Sequence, residues 1–121
     1  MHTKTILMTF LVFAVGCISV VGQTGEPISP SENNPKAGEL IKQAIVLEDS
    51  MMLVTAIAKY KEVLKLEPKD FAAMNTIAGL YGKLGDPEQE VVWAQKAIDT
   101  SPRYWKGYIN LGNGKINLMR Q

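Results

Sequence analysis

From Ala37 onward this chain of 121 residues matches itself at a lag of 34 residues. Pro68 recurs as Pro102 and Phe71 as Trp105, while Leu40, Met74 and Tyr108 fall in phase. Ala44, Ala78 and Gly112 share a second register position, Val63 aligns with Ala97, and Leu64 aligns with Ile98. Any amphipathic helix shows a period near 3.6 residues, but a long fixed register requires whole structural units to recur. Such units bury their apolar faces by stacking on one another, so the chain is expected to form a short array of repeats.

Each unit reads as two helices. Phe71, Met74, Ile77, Ala78 and Tyr81 form one helical stripe that stops at Lys83-Leu84-Gly85. Gly85 suits the left-handed position that ends a helix. Asp86 is placed to cap the next helix, with Pro87 in its first turn. Val91, Trp93, Ala94, Ala97 and Ile98 carry that helix to Thr100, and Pro102 prevents its continuation. The first unit follows the same plan, with a helix over about Lys36 to Glu48, a turn near Asp49-Ser50 and a helix over about Met52 to Leu66. Its turn lacks the Gly-Asp-Pro signal. Asn34 followed by Pro35 makes a fair helix start. Residues 105–121 supply the first helix of a third unit, weakened by Gly107, Gly112 and Gly114.

This pattern resembles the tetratricopeptide repeat, a helix-turn-helix unit of 34 residues that stacks into a right-handed solenoid. The segment from Phe71 to Pro102 matches best, with Met74, Ile77, Ala78, Tyr81, Ala97 and Pro102 at the family's characteristic positions. In the first unit Ala56, Tyr60 and Pro68 match. The expected fold is all-α: about two and a half repeats (residues 37–70, 71–104 and a partial 105–121), five helices in all. The sequence departs from the family at Glu90, where a small residue is usual, so its carboxylate must reach solvent or the packing must shift.

The resemblance implies a groove lined by the first helix of each unit. Its positions hold Gly38, Ile41, Ile45, Glu48 and Asp49, then Ala72, Asn75, Gly79, Gly82 and Lys83, then Lys106, Ile109, Asn113, Ile116 and Asn117. Asn75, Lys83, Lys106, Ile109 and Asn113 are the candidate partner contacts, since Asn amides both donate to and accept from a peptide backbone. Chaperone-binding members of the family hold a terminal carboxylate with a Lys/Asn/Asn/Lys/Arg set. The corresponding residues here are Ile41, Ile45, Thr76, Lys106 and Asn110; only Lys106 fits, so that clamp is absent. On the last helix, Trp105, Tyr108, Ile116 and Met119 leave apolar surface on more than one side, a candidate association surface within 105–119 that includes self-association.

Composition narrows the chemistry. The chain has one His and one Cys, His2 and Cys17, both within a segment that reads as an export signal. If that segment is lost, Cys/His metal sites, thiol nucleophiles and Ser-His triads are excluded by arithmetic. A net charge of +1 gives no reason to expect nucleic acid as a partner. No catalytic constellation, metal site or cofactor motif stands out, so a non-enzymatic module that binds a protein or peptide is expected.

Residues 1–22 carry Lys4, then an apolar run, then small residues, the layout of a secretory signal peptide. Cleavage after Gly22 competes with lipidation at Cys17, where Ala14-Val15-Gly16-Cys17 resembles a lipobox, and with retention as an uncleaved anchor. Residues 23–36 hold three prolines and little apolar surface, and are expected to be a flexible tether. Together these features point to the cell envelope: an exported adaptor, with a lipid-anchored subunit of an envelope secretion or pilus assembly, or an accessory domain of a separate enzyme, as the alternatives. Intact mass of the protein purified from its own envelope is expected to show loss of residues 1–22. Acyl groups on Cys17 would replace that expectation with lipid anchoring, and an unprocessed mass would replace it with an anchor.

Overall fold

The computed structural model describes residues 25–121. The expected export segment, 1–22, including Cys17, lies outside the described residues. Five α-helices follow one another: α1 Pro35–Asp49, α2 Leu53–Leu66, α3 Phe71–Lys83, α4 Pro87–Thr100 and α5 Trp105–Met119. The 34-residue register holds to the residue in their boundaries: α2 maps onto α4, the ends of α1 and α3 coincide, and so do the starts of α3 and α5. Consecutive helices pack on one another, and α3 also touches α5. No helix among the described residues is long and apolar enough to cross a membrane.

The caps explain where the helices begin. Asn34 accepts from the backbone N–H groups of Lys36 and Ala37 at 3.1 and 3.2 Å, Asp70 from Ala73 at 2.7 Å and Asp86 from Gln89 at 3.1 Å. Each satisfies donors that a helix start leaves unpaired. The two turns inside the repeats share one geometry. Gly85 takes φ of 77°, and its register equivalent Met51 takes φ of 59°. In both, the following N–H reaches back five residues to close the helix, Met52 to Leu47 at 2.8 Å and Asp86 to Tyr81 at 3.0 Å. The first turn was hard to place from sequence because an exposed methionine occupies the position that normally selects glycine.

The core fills the space between the units. Ala37, Ala44, Leu53, Ala56, Ile57, Tyr60, Val63, Ala73, Ile77 and Leu80 join α1, α2 and α3. A second cluster of Phe71, Met74, Ala97 and Tyr104 joins α3 to α4 and to the start of α5, with the Phe71 and Tyr104 rings 4.8 Å apart. Burial and donation to Glu48 Oε1 at 2.7 Å hold the Tyr60 hydroxyl well above the ordinary tyrosine range.

Two expectations are corrected. Helix α5 is unbroken despite its glycines, because two of them are contact points: a Cβ on Gly107 would lie 2.9 Å from Ile98 Cγ1, and one on Gly114 only 2.8 Å from Val91 Cγ2. The tether expected over 23–36 is, in its described part, a strap held against the solenoid. A short 3-10 turn at Pro30–Asn33 places Ser29 and Ser31 in the interior. The Ser29 hydroxyl and the Ser31 N–H donate to Asp70 Oδ2 at 2.9 and 2.7 Å, and Asn34 Nδ2 donates to Glu67 at 2.7 Å. Further back, Glu26 pairs with Lys106 at 3.1 Å, and Gly25 accepts from Arg103 at 3.3 Å. Low apolar content misled because these contacts are polar and local to helix starts.

A left-handed methionine is strained relative to glycine by about 1 kcal/mol. Met51→Gly is therefore expected to raise the melting temperature by about 5 °C, while Gly85→Ala lowers it. Thermal denaturation that leaves Met51→Gly no more stable than the parent would contradict this account of the turn.

Candidate functional site

A cleft of about 550 Å³ opens between α3 and α5, with α4 beneath it. Gly79, Gly82 and Lys83 line it from α3, Asn110, Asn113, Ile116 and Asn117 from α5, and Arg120 from just beyond it. Glu90 enters from α4. The glycines keep the α3 wall low: above Gly79 the nearest atoms belong to the Asn110 amide, 3.6 Å from where a Cβ would stand. Above Gly82 stands the Glu90 carboxyl, whose carbon and both oxygens would each be 2.8 Å from a Cβ.

The sequence-derived candidates divide. Lys83 and Asn113 line the cleft and are exposed. Asn75 does not present its amide to a ligand: it is buried, and its side-chain and backbone oxygens accept from Asn110 Nδ2 at 2.9 and 3.0 Å. This bond braces α3 against α5. Lys106 lies at the other end of α5, where it pairs with Glu26 of the strap, and that contact raises its pKa. With Ala72, Phe71 and Tyr104 it lines a smaller hollow beside the strap. Ile109 is half-exposed outside the cleft.

Of the proposed association surface, Ile116 belongs to the cleft wall, while Trp105, Tyr108 and Met119 are exposed on another side of α5. The Tyr108 hydroxyl donates to the Pro102 carbonyl at 2.9 Å. The register equivalents of Trp105 and Tyr108, Phe71 and Met74, are covered by α4, and nothing among the described residues covers α5 in that way. Gly112 accordingly meets nothing within 4 Å.

Glu90 was recognised in the sequence only as a departure from the family pattern. The structure takes it inward, with Gly82 and Gly114 supplying the change in local packing. It is 3% exposed and fits because Gly82 and Gly114 leave room on either side. Burial raises its pKa, partly opposed by a hydrogen bond from Asn117. Oε2 has no partner.

No family model matches the chain. Over 87 residues it is 31% identical to the Hsp70-Hsp90 organizing protein of Triticum aestivum, a stretch covering 72% of this chain and 14% of that relative. Among solved structures it is similar to the Sgt2 TPR domain of Aspergillus fumigatus, with a TM-score of 0.69 and 19% identity over 78% of this chain and 62% of the other. The chain thus spans about a seventh of the curated relative and under two thirds of the solved one. The fold is a TPR-like helical solenoid, as the repeat register leads one to expect.

A carboxyl with a raised pKa stabilises the folded state most below the ordinary carboxyl range, and that contribution is lost as pH rises through its folded-state pKa. Glu90→Gln removes the charge and keeps the shape. Its gain in melting temperature is expected to be larger at pH 7 than at pH 4. Equal shifts at the two pH values would show that Glu90 is not desolvated in this way.

Proposed function

We propose that the chain is an exported, non-enzymatic module that binds a protein or peptide, and that the cleft between α3 and α5 is its docking surface. The observation that carries this reading is the cleft itself: a low glycine wall faces Asn113 and Asn117, so an extended backbone can approach closely and pair with amide groups. Similarity to an Hsp70-Hsp90 organizing protein and to the fold of a solved TPR domain supports a binding role over a catalytic one. The export segment supports a site of action in the cell envelope.

The wheat relative's name ties that protein to Hsp70 and Hsp90. Capture of a terminal carboxylate of such a partner by this chain is not supported. Ile41 and Ile45 carry no polar group, Asn110 is committed to Asn75, and Lys106 is neutralised by Glu26.

A photo-crosslinking residue at Asn113, expressed in the full chain in its own cells, is expected to give discrete adducts several-fold stronger than the same residue at Lys96, which is exposed outside the cleft. Equal yields at the two positions, or adducts at Lys96 alone, would refute docking in the cleft.

A further inference from the structure

The two complete repeats place one carboxylate each between their helices, but from opposite sides. In the first, Glu48 of α1 stands near the end of its helix, and Ala56 of α2 is fully buried. In the second, the register equivalents are exchanged in character: Gly82 replaces the acid and Glu90 replaces the alanine. The first carboxylate is satisfied internally, because Tyr60 donates its hydroxyl to Glu48 at 2.7 Å. The equivalent of Tyr60 in the second repeat is Ala94, which offers no donor. Glu90, which lines the cleft, is therefore left with a buried oxygen, Oε2, that no group of the described chain satisfies. Buried acceptors are almost always paired, so this one calls for a donor from outside.

Resting on the docking role of this cleft, we infer that Glu90 is the floor acceptor for the side-chain ammonium of a lysine in an acidic segment of the partner. Three features select that group. Asn117 stands across the cleft from the carboxyl, and Oε2 is its buried oxygen without a partner among the described residues. A single acceptor suits the compact donor of an ammonium better than the two-pronged fork of a guanidinium. The Asn110 amide nitrogen is committed to two oxygens of Asn75, so the end it keeps for a ligand is Oδ1, a second acceptor for the same ammonium. Depth favours a lysine side chain over an amino terminus. Its four-carbon stem can run down the apolar flank of Ile116 to a floor that is 3% exposed while its backbone stays at the rim. The rim itself carries Lys83 and Arg120, both exposed. These cations disfavour a lone amine and favour one flanked by Asp or Glu, which pair with the rim while the lysine pairs with the floor.

The test is isothermal titration of the full chain with an N-acetylated, C-amidated pentapeptide of one lysine between acidic residues, with amide NMR shifts locating the site. The expected result is shifts at Gly79, Gly82 and Asn113. Acetylating the lysine, or Glu90→Gln in the protein, should each weaken binding by about tenfold or more, the loss of a charge-assisted hydrogen bond. The acetylated peptide uses the unaltered protein, so that result is independent of how the variant folds. Binding in the cleft that is indifferent to acetylation would overturn the lysine assignment and leave the docking cleft standing. Restoration of binding by a free amino terminus on the acetyl-lysine peptide would replace the lysine with a chain terminus. Shifts confined to the outer faces of α2 and α4 would overturn the inference and the docking reading together.

Discussion

Helices in this solenoid approach one another only as closely as their smallest facing residues allow, and that limit fixes everything built upon it. Ala44, Ala56, Ala78, Ala94 and Ala97 are fully buried, and Gly107 and Gly114 let α5 lie directly against side chains of α4. A glycine inside a helix costs about 1 kcal/mol relative to alanine. In α5 that cost is offset by contacts that a Cβ would forbid, since Ile98 and Val91 occupy the space it would need. The close seam between α4 and α5 brings α5 over to α3 as well, where Asn110 reaches Asn75, and the cleft is the space left between them.

The cleft's chemistry follows from the same economy of side chains. Gly82 removes a wall and admits a carboxylate; Gly114 admits the methylenes below it. Glu90, Gly82 and Gly114 therefore form one steric unit drawn from three helices, in which no member can enlarge without moving another. A polar floor under a low wall is an unusual combination for an interior position, where a lone carboxylate is normally excluded.

Much of the fold was legible because repetition reports packing directly: residues 34 apart share an environment, so helix ends and core positions could be transferred between units. The turn at Met51 was less legible because the chain adopts there a backbone that its residue does not advertise. The α5 glycines read as weakness because a sequence shows their propensity and not their neighbours. The family resemblance names Lys83 and Asn113 as groove positions, and both line the cleft, whereas the burial of Asn75 depends on Asn110 crossing from the next unit. The strap was missed for a related reason. Ser29 and Ser31 are unremarkable in a proline-rich stretch until Asp70, far along the chain, supplies the acceptor.

That strap alters how the array holds together. In a simple stack each unit touches only its neighbours, and the ends can loosen one at a time. Here the segment before α1 reaches the junction of the first two repeats through Asp70 and the start of the third through Lys106 and Arg103. First and last units are thereby joined through a shared edge, and a linear stack becomes a closed loop of contacts. Opening at one end therefore loosens contacts at the other, which couples the units beyond their neighbour packing.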